Sequence, residues 1–214
     1  MTQSSTRSKP IWTLIPLIGN FLFVILYIIA TTLYPGGSNA NKTAIGYKWA
    51  ENYWCNLLSE KAINGQDNTA KPVAVIAMII LCISLSSFWI LFPALSKLKK
   101  RYRLLIQVAG IISMITAFLL LTNVDHDIAV NTSSSFGFIA MVATIIALRQ
   151  LKWNKLFLFG LFNILLIALN NYLYHTAQMT YLPIVQKFSF LSFLVWFSLV
   201  DLKLYQLKMS KFFI

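Results

Sequence analysis

The sequence predicts an all-α integral membrane protein, a bundle of six transmembrane helices with both termini cytoplasmic. Three observations predict it. The chain is 58% hydrophobic and only 11% charged, whereas a soluble domain carries about 25% charged residues. Its mean hydropathy is +0.70, and the apolar residues gather into runs long enough to cross a bilayer. The basic residues then collect in alternate links between those runs, which is the pattern that sets membrane orientation.

The predicted spans are 11–33, 72–95, 104–122, 128–148, 156–174 and 183–202. Each is near the roughly 20 residues that a helix needs to cross about 30 Å of hydrocarbon. The first is preceded by Arg7 and Lys9, but it is too long for a cleaved signal segment and reads as a retained signal-anchor helix. It stops at Tyr34-Pro35-Gly36-Gly37, because proline and paired glycines break helices. Pro72 and Pro183 open their spans, at positions where a missing N–H costs nothing. The runs are continuous, where β-barrel strands would alternate. One membrane domain, 1–214, accounts for the chain.

Orientation follows from the links. Arg7 and Lys9 lie in the first tail, Lys97, Lys99, Lys100, Arg101 and Arg103 in the second link, and Arg149, Lys152 and Lys155 in the fourth. Lys203, Lys208 and Lys211 lie in the last tail. The positive-inside rule puts all of these in the cytoplasm of a bacterial inner membrane. The net charge of +12 is therefore a topology signal, and with no solvated basic face left over, nucleic acid is not an expected partner.

The opposite side holds the one long loop, 34–71. Loops of that length are uncommon unless functional. Within it, Ala50, Tyr53, Trp54, Leu57 and Leu58 recur at three- and four-residue spacing. That spacing predicts a short interfacial helix over 46–59 that lies on the membrane surface or caps the bundle. Cys55 falls in this loop and Cys82 in the second span, so they are not expected to pair.

The densest polar stretch is Asn123-Val124-Asp125-His126-Asp127, followed by Asn131-Thr132-Ser133-Ser134-Ser135. It holds two of the six acidic residues and one of the two histidines. The acidic residues Glu51, Glu60 and Asp67 and the other histidine, His175, fall on the same predicted outer side. In the spans, Asn163, Asn170, Asn171 and Tyr174 end the fifth, and Gln186, Lys187, Ser189 and Ser192 begin the sixth. Polar groups facing lipid are costly, so these predict an outward-opening polar cavity between spans four, five and six, roofed by the long loop.

Simpler roles compete for each group. Serine and asparagine are ordinary glue between membrane helices. Asp125 and Asp127 suit a helix N-terminus, His175 suits a C-terminus, and Lys187 suits snorkelling to the surface. Asp125, His126, Asp127 and His175 are the candidate ligands for zinc or a similar ion. Neighbours on one helix cannot all face one centre, and two histidines exclude a three-histidine site, so the expectation is no cofactor. For hydrolysis, Ser59, Asp125, His126 and His175 are the catalytic candidates, although Ser59 has no G-x-S-x-G context. Glu60, Asp127, Asn131, Asn171, Tyr174, Gln186 and Lys187 are the ligand-binding candidates.

The order of these features resembles the bacterial membrane family known as domain of unknown function 998, similar in layout to the Frag1/DRAM/Sfk1 group. The likeness rests on the proline-glycine stop after span one, Leu58-Ser59-Glu60 before span two, the acid and histidine between spans three and four, and Val185-Gln186-Lys187 with Trp196 in span six. It implies six helices, with Ser59, Asp125 or Asp127, a nearby histidine and Lys187 as the family's polar positions. Lys187 replaces the usual arginine, and Glu60 stands where aspartate is usual. A looser likeness to alkaline ceramidases lacks their third histidine. The reading is a membrane protein that binds a lipid or small amphiphile. The alternatives are a lipid-headgroup hydrolase and a scaffolding subunit, and the expected partners are membrane lipids or a second copy of the chain.

Overall fold

The structure, a computed structural model, describes residues 11–96, 98–122, 125–176, 178 and 180–210. Six α-helices follow one another: α1 Ile15–Leu33, α2 Lys71–Leu95, α3 Lys100–Phe118, α4 His126–Gln150, α5 Asn154–His175 and α6 Leu182–Ser210. A 3-10 turn, Ile11–Leu14, leads into α1. All six are long and apolar enough to cross a membrane. Prolines 16 and 72 stand in the first turns of α1 and α2, where they cost no hydrogen bond. α6 runs on to Ser210, past the predicted end at 202, because Leu204 still has core to bury into.

Side-chain pairs show that sequential helices run antiparallel. Thr69 donates to the carbonyl of Leu33, tying the start of α2 to the end of α1. Gln107 of α3 donates to the carbonyl of Ile90 in α2 at 3.1 Å. Ser113 of α3 and Ser133 of α4 each donate to the other's carbonyl, at 2.8 and 3.0 Å. Asn170 of α5 reaches Ser189 of α6, and the indole of Trp196 donates to the carbonyl of Leu156 at the other end of that pair. α6 closes the bundle onto α1, where Asn20 Nδ2 donates to Ser198 Oγ at 3.2 Å. Both ends of the described chain thus lie at one end of the bundle, and the long loop lies at the other.

In lipid, helices gain little by hiding apolar side chains from water, so close packing has to hold them together. The contacts show that economy. Leu22, Ile25, Ile29, Leu161, Leu165 and Leu169 stay exposed, while Ala30, Ala74, Ala77, Ala140, Ala143 and Ala147 are buried. Gly110 lets α3 lie directly against Trp89 of α2, and a Cβ there would sit 2.2 Å from the indole. Trp89 and Phe88 in turn pack on Phe197 of α6, with ring centroids 5.2 and 4.6 Å apart.

The long loop departs from the predicted interfacial helix. Helical structure within it is a single 3-10 turn, Trp54–Leu58. Ala50, one of the residues that set the predicted apolar spacing, is exposed. The reason lies in the backbone. Gly36 pairs with Ile45 and Lys61 with Asp67 in isolated bridges, and these fold the loop into a compact cap. Gly37, at φ +83°, makes the corner, and a Cβ there would fall 2.3 Å from Asn64 N.

Gly110→Ala is expected to lower stability by about 1–3 kcal/mol, the usual cost of overpacking. Thermal unfolding in detergent checks it, with the exposed Val108→Ala as a control that moves little.

Candidate functional site

The loop end is built around Lys187. It lies in the second turn of α6 and is buried, which does not fit the simpler role of snorkelling to the surface. Its ammonium donates to the backbone carbonyls of Asn52, in the loop, and of Pro183, the latter at 3.0 Å. It also stands 5.7 Å from the centroid of the Tyr47 ring. Asn52 repeats the pattern from the loop side. Its side chain accepts from Lys48 N at 2.9 Å and donates to Gly37 O at 2.8 Å, and its carbonyl also accepts from Tyr47 Oη at 3.2 Å. One helix cation and one fully buried asparagine therefore hold the cap together and to the bundle.

Other contacts complete the seat. The Trp54 ring lies against Phe23 and Tyr27 of α1 and Phe190 of α6, with centroids 6.0, 5.3 and 5.3 Å away. Asn68 Nδ2 lies within hydrogen-bonding distance of three carbonyls, those of Asn56, Leu57 and Ser59. Burial raises the titration points of Tyr47 and of the Cys55 thiol. The backbone N–H groups at Cys55 and Asn56 and the Lys187 ammonium oppose that burial at Cys55 without overcoming it. A thiol held in its protonated form is not an activated nucleophile. Cys55 and Cys82 are both free, as expected.

The structure spreads the predicted site residues around the loop-end rim. Asp125 is the N-cap of α4, accepting from Asp127 N and Ile128 N at 2.9 and 3.0 Å. Asp127 and Asn131 are exposed. His126 opens α4, and its side chain lies outside the described residues. His175 ends α5, exposed and edge-on to Tyr174 at 5.5 Å. Ser59 is exposed at the end of the 3-10 turn. Glu60 pairs with Lys71. Asn123 and Val124 lie outside the described residues. Among the described residues no three of His, Cys, Asp and Glu come together to hold a metal ion.

Where polar groups do meet is the contact of α5 with α6. α4 brings Ile145 against Gly160 of α5, while its Ser133 is committed to Ser113 of α3. Asn163, Asn170 and Asn171 each donate Nδ2 to the carbonyl four residues back, at 3.0, 2.9 and 2.9 Å. A carbonyl can only accept, which fixes the orientation of each amide. For Asn163 and Asn170 the result is a buried Oδ1 with no hydrogen-bond partner. On α6, Gln186 Oε1 and Ser192 Oγ are buried and unpartnered too. Between them Asn170 Nδ2 donates to Ser189 Oγ at 2.5 Å. The seam extends for about 10 Å along the two helices, taking 1.5 Å per residue. Asn171, Tyr174 and His175 stand exposed at the loop end of α5.

The sequence marked every member of this seam as polar in a span, but not which atoms stay unpaired. Asn52 and Asn68 were missed, because a loop asparagine gives no signal of burial. So was Asp201, the one acidic residue that falls away from the predicted outer side.

Six apolar helices under a folded cap make this a polytopic membrane protein. No protein-family model, curated protein or solved structure matches the chain.

Lys187→Met is expected to free the cap without unfolding the bundle. Hydrogen bonds from a charged donor contribute about 1.5–3 kcal/mol, so amide exchange across residues 36–62 should speed up by roughly tenfold or more. Exchange in α2 and α3 should stay unchanged, as mass spectrometry after deuterium labelling reads directly.

Proposed function

We propose that this chain is a bacterial inner-membrane protein, with cytoplasmic termini, that binds the polar head of a lipid or small amphiphile at the mouth of the α5–α6 seam, without catalysis. The sequence resemblance to the domain of unknown function 998 family fits six helices and leaves the ligand open. The observation that carries it is the row of unpaired oxygens on Asn163, Asn170 and Gln186, with Ser192 Oγ beside them. A buried acceptor without a donor costs about 1–3 kcal/mol, and several along one seam favour a ligand that brings donors. Hydroxyl and amine groups of a lipid head supply them. Asn171, Tyr174 and His175 at the mouth place hydrogen-bonding groups where that head would enter, and the exposed apolar faces of α5 and α6 suit the tail.

Replacing Asn163 and Asn170 together by leucine tests this reading. Two lost hydrogen bonds at about 0.5–1.5 kcal/mol each should cut co-purified lipid or amphiphile about tenfold. The thermal midpoint should hold or rise, since two unpaired buried acceptors are removed. Native mass spectrometry of protein released from nanodiscs measures both ligand and fold. Unchanged occupancy in a well-folded variant would reduce the seam to inter-helix glue.

Topology is checked separately, in a chain carrying Cys55→Ser and Cys82→Ala. Lys42→Cys in the cap should react with an impermeant maleimide in intact cells, and Lys203→Cys only after permeabilisation. The opposite pattern would invert the protein.

A further inference from the structure

Asp201 lies on α6 towards the end of the bundle away from the cap. It is fully buried, and neither of its carboxyl oxygens has a hydrogen-bond partner among the described residues. No lysine, arginine or histidine among the described residues lies within 4.0 Å of it. Its surroundings follow from the packing. Ser198, one turn earlier on the same face, receives Asn20 Nδ2 at 3.2 Å. Ser84 Oγ of α2 lies 2.9 Å from Asn20 Oδ1 and 2.7 Å from Pro16 O. That face of α6 is therefore turned into the bundle, and the Ile11–Leu14 turn packs against the same end of α6.

Neither α1 nor α2 brings a charge to this end of α6. Residues 11–26 and 83–95 contain no titratable side chain. Lys152 in the link before α5, Lys155 at the start of α5 and Lys203 on α6 itself are exposed, and Tyr205 is half-buried. Lys208, two turns further along α6 on the face of Asp201, is half-buried and forms no ion pair with it. An ionised carboxylate without a partner is among the costliest groups to bury. A neutral acid avoids that cost by carrying its own proton. A metal ion does not answer the same need. Calcium takes about six to eight oxygens and magnesium demands an octahedron, whereas Ser198, Asn20 and Ser84 are already engaged with one another.

We propose that Asp201 is a proton-binding site inside the bundle, held as the carboxylic acid and distinct from the α5–α6 seam. Its ligand is a proton from the side on which the termini lie. Losing that proton would leave a bare charge between α6 and the elements packed on it. Proton release and loosening of the Ile11–Leu14 turn from α6 are therefore linked, and each favours the other.

Infrared spectroscopy on the full chain in nanodiscs, with 13C-carboxyl aspartate incorporated, decides the matter. Asp67, Asp125 and Asp127 are exposed, so a label-shifted band of a protonated carboxyl at pH 7 reports Asp201. The expected result is that band in the unaltered chain and its loss in Asp201→Asn. Its absence from the unaltered chain overturns the proposal and needs no variant to fold. Dicyclohexylcarbodiimide supplies a second reading. This apolar reagent adds to a protonated carboxyl to form an O-acylisourea, which rearranges to a stable N-acylurea with no group leaving. The adduct is expected on the Asp201 peptide at least tenfold above the Asp67 and Asp125 peptides. Modification of Asp201 only by a water-soluble carbodiimide with an added amine would mean a hydrated, ionised group, and would also overturn the proposal.

Discussion

A lysine ammonium bonded to two backbone carbonyls, one from α6 and one from the cap, is the contact on which the loop end depends. Lys187 could not stay buried on an isolated helix, because its charge would have nothing to meet. Asn52 O and Pro183 O meet it, and the Tyr47 ring covers it. The cap in turn could not keep its shape without Asn52, whose amide bridges Lys48 and Gly37 across the loop. Each side thus satisfies a polar group that the other would leave exposed or stranded. Trp54 adds the apolar part of the seat, set among Phe23, Tyr27 and Phe190.

Below the cap the bundle is closely packed in one region and polar in another. α1 to α4 interlock through small residues, with Gly19 against Ser84, Gly110 against Trp89 and Gly137 against Ser113. α5 and α6 also pack closely at Gly160 and Trp196, but towards the cap they meet through asparagine and serine, several with oxygens left unpaired. Close packing is what stabilises helices in lipid, so a stretch where it gives way to unmet acceptors stands out. The proposed ligand site sits there, at the cap end. The proposed proton site at Asp201 lies towards the other end of α6, which leaves one helix common to both and to the Lys187 contact.

Much of this was legible beforehand. The six spans, their breaks at proline and glycine, and the helix-capping role of Asp125 follow from local rules, because a helix end or a 20-residue apolar run needs no distant partner to define it. The interfacial helix over 46–59 failed for the complementary reason. Its periodicity was real, but Gly36, Gly37 and Asn52 bind the backbone into turns, and tertiary hydrogen bonds outweigh a weak local preference.

The sequence by itself determined the class of protein, the number of helices and the residues that are out of place in an oily chain. Composition and run length decide those, since the bilayer imposes one thickness on every span. Only the tertiary structure decided which polar residues meet. Asp125, His175 and Ser59 share the rim with Lys187 yet make no common site, while Asn163, Asn170, Gln186 and Ser192 line one helix contact. Asp201, a lone acid near the end of a span, became notable only once its burial was known. Pairing of that kind depends on which faces of which helices touch, and spacing along one chain carries no record of that.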